Sequence, residues 1–128
     1  MTSNRANRHR GEEFRTRVAN FFKLALLPVV QKVPIDSLAT AFRMDPRPQI
    51  SHLHIGEHFA VSVSTGFPLD VSGNLDRAEA NARTDRRPYA VAVIERQRRD
   101  GIEESYAVLS LDTLRSLIEQ VERGGSRD

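Results

Sequence analysis

Residues 58–66 read HFAVSVSTG, and this stretch decides how the middle of the chain folds. Apolar residues alternate with small hydroxyl residues, which is the period of a β-strand with two different faces. Val61 and Val63 point to one face in such a strand, and Ser62 and Ser64 point to the other. The pattern predicts a half-buried strand over 59–64, and the serine face is either plain solvent surface or the floor of a site.

The sequence on both sides of this strand predicts a mixed sheet with helices packed on it. Further strands are predicted over residues 29–33, 50–55, 89–94 and 105–111. Helices are predicted over 11–27, from about 70 or 72 to 83, and from an N-cap at Asp112 to Gly124, with a brief helical turn over 37–42. The element order is α-β-β-β-α-β-β-α without an internal repeat, so the predicted fold is one α/β domain with a mixed sheet of about five strands flanked by helices.

Composition limits the class of protein. The 128 residues are 39% hydrophobic and 28% charged, which fits one globular domain with a core. No apolar run approaches the ~20 residues of a bilayer span, and the polar amino terminus predicts no signal peptide. The absence of cysteine excludes disulfides and suits a bacterial cytoplasm. The predicted organisation is a flexible basic arm over 1–10, one domain over 11–124 and a tail over 125–128.

Positive charge is concentrated in two blocks although the net charge is only +2. Residues 1–23 and 83–99 each contain six Lys or Arg against two acids. Such blocks indicate a phosphate-facing surface, and the alternative is an ordinary solvated rim, since 17 of the 19 basic residues are Arg, as in a GC-rich genome. The candidate nucleic-acid-binding residues are Arg15, Arg17, Arg83, Arg86, Arg87, Arg96, Arg98 and Arg99.

Four blocks carry a resemblance to a known family. They read GEEFRTRV (11–18), LDVSGNLDRAEANA (69–82), PYAVAVI (88–94) and SYAVLSLD (105–112). Together they resemble the small Holliday-junction-resolvase-like nucleases of phages and actinobacteria, a branch of the PD-(D/E)xK nuclease superfamily. The resemblance covers most of the chain except 29–48. It implies a nuclease-like fold, a homodimer and an association with phages or other mobile elements.

The resemblance also implies where a metal site would lie. The family binds divalent cations through an aspartate at the end of one hairpin strand and a Glu-x-Lys motif on the next, where the lysine stabilises developing charge. These positions fall on His52 and on Ser62-Val63-Ser64, and only a helix glutamate, Glu13 or Glu12, is retained. The resemblance therefore implies a catalytically inactive module without a metal cofactor, which binds DNA phosphates or a protein partner.

Two alternatives stay open at this point. His52 and His54 are spaced i, i+2 and with Glu13 form a possible zinc set, as in a metal-dependent, structure-specific nuclease with a rearranged site. Otherwise both histidines are polar residues opposite an apolar strand face. Ser62 and Ser64 are either nucleophiles or small residues in an emptied cleft. A third class is a structural or regulatory protein of a phage or mobile element that uses the fold as a scaffold.

Overall fold

The computed structural model describes residues 4–32, 49–65, 69–98 and 101–125. Within these ranges it has three α-helices and a five-stranded mixed sheet in one α/β domain, which confirms the coarse prediction. The elements in chain order are α1 (Asn4–Leu24), β1 (Val29–Gln31), β2 (Leu53–Ile55), β3 (Phe59–Ser64), α2 (Val71–Thr84), β4 (Tyr89–Ile94), a 3₁₀ turn (Ile102–Glu104), β5 (Tyr106–Val108) and α3 (Leu111–Gly125). The predicted turn over 37–42 and Arg99 lie outside the described residues.

The strands lie side by side in chain order, from β1 at one edge to β5 at the other. Strands β1, β2 and β3 form an antiparallel meander. Strand β4 runs parallel to β3, and α2 makes the crossover between them, as a parallel connection requires. Because β3 and β4 are parallel, their carboxyl ends lie at the same end of the sheet.

Helix α1 packs on the face of the sheet to which Val61 and Val63 point. Its buried residues Phe14, Val18 and Ala19 form one core cluster with these valines and their strand neighbours. The stripe follows the helical period, since side chains four residues apart lie on the same face of a helix. The predicted apolar stripe on this helix is therefore a core contact.

Helix α2 covers the opposite face of the sheet, where Ser62 lies. The contact is built almost entirely from alanine: Ala78 and Ala82 of α2 pack against alanines of β3 and β4. Small side chains let the helix backbone approach the strands closely, so Ser62 is half-buried beneath the helix. Its hydroxyl accepts a hydrogen bond from the Asn81 amide at 3.4 Å.

Two helices begin at other residues than predicted. Helix α1 begins at Asn4 and not at residue 11, so residues 4–10 belong to the same helix as the amphipathic part. No proline separates these residues from the amphipathic part, and a single helical glycine such as Gly11 costs only about 1 kcal/mol, so the helix continues through it. The N-cap of α3 is Ser110, not Asp112, because the Ser110 hydroxyl accepts the backbone N–H of Thr113 at 3.1 Å.

No helix within the described residues is long and apolar enough to cross a membrane.

Candidate anion-binding site

The segment before β2 is fixed by two side chains. Gln49 donates from its amide to the backbone carbonyls of Val30 at 3.1 Å and Ser51 at 3.0 Å, which ties the segment to β1. Asp85, at the end of α2, accepts the backbone N–H groups of Ile50 at 2.8 Å and Ser51 at 2.9 Å. The predicted strand over 50–55 is therefore shorter, because these two N–H groups bond to a carboxylate and not to a neighbouring strand.

Asp85 also binds His54, whose Nε2 lies 2.8 Å from its Oδ2. The carboxylate is fully buried. Burial alone would raise the pKa of Asp85, but the hydrogen bonds from His54, Ile50 and Ser51 outweigh it and hold the pKa below its ordinary value. His54 is thus part of a structural clasp between β2 and the end of α2.

His52 has a different partner and a different surrounding. Its Nδ1 accepts the backbone N–H of Val63 at 2.8 Å, just beyond the last β2–β3 pair. Burial, together with the positive charges of Arg15 and Lys32, lowers the pKa of His52 from 6.5 to about 4. A ring that accepts at Nδ1 and stays neutral carries its proton on Nε2, so His52 offers one N–H donor at neutral pH.

A pocket of about 240 Å³ opens beside this ring, and the described residues that line it are Arg15, Gln31, Lys32 and His52. Helix α1 supplies Arg15, the edge strand β1 and its next residue supply Gln31 and Lys32, and the segment before β2 supplies His52. Lys32 is held there by its backbone N–H, which donates to the His52 carbonyl at 2.9 Å.

Every described side chain that lines this anion pocket can donate a hydrogen bond, and two are cations. Arginine and lysine favour phosphate and carboxylate ligands, and neutral amide and imidazole N–H groups add direction. The pocket also lies at the carboxyl end of the parallel strands, since the His52 ring bonds near the end of β3. The arrangement therefore fits an anion of the size of a phosphate.

The positions that the resemblance assigns to a metal do not fit a divalent cation. His52 has one ring nitrogen bonded and lies beside two cations, which repel a metal ion. Ser62 lies beneath α2, and neither Ser62 nor Ser64 is among the described lining residues. Glu13 is exposed on α1. Within the described residues no three His, Cys, Asp or Glu side chains are grouped as a metal site requires.

The structure distributes the predicted arginines over both ends of the sheet. Arg15 lines the anion pocket, and exposed Arg17 lies on the same helix. Arg96 and Arg98 follow β4 at the same end as the pocket, and Arg96 stacks over the Tyr106 ring at 5.3 Å. The other candidate nucleic-acid-binding arginines that the structure describes precede β4 and lie at the opposite end of the sheet; they are Arg83, Arg86 and Arg87.

Arg87 has a structural contact, because its guanidinium donates to the backbone carbonyls of Gly56 at 2.7 Å and Phe59 at 3.3 Å. It thereby fixes the turn between β2 and β3. Arg83 and Arg86 are exposed.

Four residues of this region were not found from the sequence: Gln31, Lys32, Gln49 and Asp85. The pattern of residues 29–33 predicts a strand but not the strand with which it pairs. The sequence alone therefore could not predict that Lys32 lies next to His52. Asp85 and Gln49 act through backbone groups far away in sequence, and no motif marks such contacts. The one available signal was that Lys32 is one of only two lysines in the chain.

Comparison with known proteins gave no match to this chain: no family model, no curated protein and no solved structure is similar to it at a significant level.

Proposed function

We propose that this protein is a non-catalytic module that binds nucleic acid through its phosphates, with the anion pocket as its centre. One observation carries the proposal: two cations and two residues with neutral donors line a pocket beside His52, the position that the resemblance assigns to a metal-binding aspartate. Such a site binds a phosphate directly through charge-assisted hydrogen bonds and does not require a metal ion between protein and phosphate. Phosphate contacts give affinity with little sequence information.

The order of elements supports the same proposal. The sequence resembles PD-(D/E)xK resolvase-like nucleases, and the residues that the structure describes have the order α-β-β-β-α-β-β-α that the sequence pattern predicts. The β2–β3 hairpin, on which the family carries its metal ligands, borders the pocket through His52. We infer a nuclease-like fold in which a metal site has been replaced by an anion site.

The proposal is tested by fluorescence anisotropy with duplex and four-way-junction DNA at low salt. We expect binding by the native protein and a loss of about tenfold or more in the double variant Arg15→Gln/Lys32→Gln, which removes both cations of the pocket. The matched control Arg83→Gln/Arg86→Gln removes two exposed charges at the far end of the sheet, and we expect it to bind within about twofold of the native protein.

Three results would contradict the proposal. One is the absence of DNA binding by the native protein at low salt. Another is an equal loss in both double variants, which would mean that only overall charge matters. The third is cleavage of a branched substrate with Mg²⁺ or Mn²⁺, which would establish the alternative of a metal-dependent nuclease. Circular dichroism melting of each variant shows that lost binding is not lost folding.

The exposed apolar stripe on α3 favours a second candidate, binding of another protein chain. Leu111, Leu114, Ile118 and Val121 are all exposed, from 42% to 81%. Their spacing of three, four and three residues is that of a coiled-coil seam, so we propose a second copy of this helix as the partner.

Light scattering after size exclusion tests this candidate. We expect a dimer that Ile118→Lys converts to a monomer, whereas Glu119→Lys, which lies off the apolar stripe of the same helix, keeps the dimer. A native protein that is monomeric at about 100 μM would contradict self-association at physiological affinity.

A further inference from the structure

The composition of the anion pocket indicates which phosphate it binds. Arg15 and Lys32 provide two positive charges, and neither has an acidic partner among the residues that the structure describes. Gln31 and the neutral His52 ring add donors without charge. Four residues with donor side chains, from three separate segments, therefore line one pocket.

An internal phosphodiester matches this set poorly. It has one negative charge and only two oxygens that are not esterified, and its two ester oxygens each lead to a sugar. A phosphate monoester carries between −1.5 and −2 charges at pH 7 and has three strong acceptor oxygens. Three oxygens can satisfy a forked guanidinium, an ammonium and the two neutral donors at once.

The position of the pocket also suits the end of a strand. Strand β1 is an edge of the sheet that the structure describes, and the described residues that line the pocket come from α1, from the end of β1 and from the segment before β2. A monoester has a single ester substituent to accommodate beside these residues, whereas a diester has two. The remaining nucleic acid would lie along the carboxyl end of β4, near Arg96 and Arg98.

We propose that the anion pocket of Arg15, Gln31, Lys32 and His52 selects a terminal phosphate monoester of a nucleic-acid strand over an internal phosphodiester. This inference rests on the proposed function, because it names the ligand of the same site. His52 is a binding residue of this site: its Nδ1 accepts the Val63 N–H, which leaves the Nε2–H of the neutral ring to donate to a monoester oxygen.

The test uses one duplex with an internal fluorescent label and three kinds of ends: 5′-phosphate, 3′-phosphate, or hydroxyl at both positions. We expect a phosphorylated end to bind about tenfold or more tightly than hydroxyl ends, and the two phosphorylated duplexes distinguish which terminus is used. The double variant Arg15→Gln/Lys32→Gln should lose this preference. Gln31→Leu, which keeps both charges and removes one neutral donor of the pocket, should reduce the preference for a phosphorylated end.

The outcomes separate this inference from the proposed function. If phosphorylated and hydroxyl ends bind equally well, the monoester inference is overturned and phosphate binding by the module is retained. If no duplex binds, the proposed function itself is overturned. A preference that persists in Arg15→Gln/Lys32→Gln but is lost in Arg83→Gln/Arg86→Gln would place the monoester site elsewhere and overturn the inference.

A second measurement reports on the pocket without DNA. Inorganic phosphate is added to the native protein, and the ring signals of His52 are followed by NMR over pH 3.5–7. Because a bound anion favours the protonated ring, we expect the pKa of His52 to rise, and to rise less in Arg15→Gln/Lys32→Gln. A pKa that inorganic phosphate leaves unchanged in the native protein would contradict an anion site beside this ring.

Discussion

At the scale of single residues, two side chains accept backbone N–H groups at the end of the sheet, where no backbone carbonyl of a described neighbouring strand accepts them. His52 accepts the Val63 N–H in the place where a further β2 carbonyl would accept it, and Asp85 accepts two N–H groups of the segment before β2. Both contacts depend on one protonation state. Stability should therefore depend on pH through each of them, in different pH ranges.

The first prediction concerns His52. The pKa of this ring is about 4 in the folded protein against an ordinary 6.5, so between these values the unfolded chain binds more protons. Stability therefore falls as the pH falls from about 6.5 to 4. We expect a loss of about 1–2 kcal/mol from His52, after allowance for solvent screening of a half-buried ring. Urea unfolding at several pH values measures it.

The matched variant for this prediction is His52→Gln. A glutamine amide oxygen can accept the Val63 N–H but does not titrate, so the difference in stability between native and variant protein should vary between pH 7 and 4. The other histidines are the same in both proteins, so the difference reports on position 52. A difference that stays constant over this range would show that the folded protein does not keep His52 neutral.

The second prediction concerns Asp85. The Asp85 carboxylate accepts two backbone N–H groups and bonds to His54. An asparagine amide at this position has only one acceptor oxygen, so some of these buried donors would lose their partner. We expect Asp85→Asn to lower the free energy of unfolding by about 2–4 kcal/mol at pH 7. Because the pKa of Asp85 is lowered by folding, its contribution is present above the ordinary carboxyl pKa and is lost as the pH falls below it.

The control for this carboxylate is Asp112→Asn. Asp112 is 83% exposed and pairs with Arg115 within α3, so its loss should change stability by less than about 0.5 kcal/mol. Chemical denaturation of both variants at pH 7 compares them directly. Equal effects of the two substitutions would mean that Asp85 does not hold the segment before β2.

At the scale of elements, two helical glycines give a third prediction with opposite signs. Gly11 lies inside α1, where an added methyl group would sit at ordinary contact distances, 3.6 Å from Arg15 Nη1 and 3.9 Å from Thr65 Oγ1. We expect Gly11→Ala to stabilise the protein by about 0.5–1 kcal/mol, because alanine is the better helix former. Thermal unfolding followed by circular dichroism measures the change.

Gly73 is the contrasting position, in the first turn of α2. Its N–H donates to the N-cap Asp70 at 2.9 Å, and a methyl group there would collide with the Asp70 carboxylate. The lost cap outweighs the gain in helix propensity, so Gly73→Ala should destabilise by about 0.5–1 kcal/mol. The same sign for both substitutions would contradict the capping contact.

Elements with a strong local pattern were predictable from the sequence. The alternation in HFAVSVSTG and the apolar run YAVAVI gave β3 and β4 with the bounds that the structure has. The predicted start of helix α1 was Gly11, because residues 4–10 show no apolar stripe. The helix nevertheless includes these residues, although they have no apolar stripe to pack on the sheet. The sequence predicted that Ser62 lies either on an open surface or in a cleft, whereas in the structure α2 covers it. The alternating pattern shows that the strand has two different faces, but it does not show which element packs on each face.

The candidate site was less predictable than the fold, because it depends on contacts between distant segments. His52 was found through the resemblance, as a lost metal ligand. Its i, i+2 spacing to His54 suggested a shared partner, but His54 bonds to Asp85 and His52 to Val63. The cations beside His52 come from α1 and from the residue after β1, and only the register of β1 with β2 brings Lys32 there.

At the scale of the whole molecule, the end of the sheet at which a charge lies decides whether it contributes to phosphate binding. The anion pocket lies at the carboxyl end of β3 and β4, and Arg83 and Arg86 lie at the other end. Each phosphate that a cation neutralises steepens the fall of log K with log[salt] by about 0.9. The slope of log K against log[salt] therefore measures how many cations contact DNA phosphates, independently of the absolute affinity.

The last prediction follows from this count. We expect DNA binding by the native protein to weaken steeply between about 50 and 200 mM NaCl, with little difference between duplexes of unrelated sequence. The double variant Arg15→Gln/Lys32→Gln should reduce the slope by about 2, one for each cation removed. Arg83→Gln/Arg86→Gln removes the same charge and should leave the slope unchanged. Equal reductions would mean that DNA contacts both ends of the sheet, and an unchanged slope in the first variant would mean that the pocket does not contact phosphate.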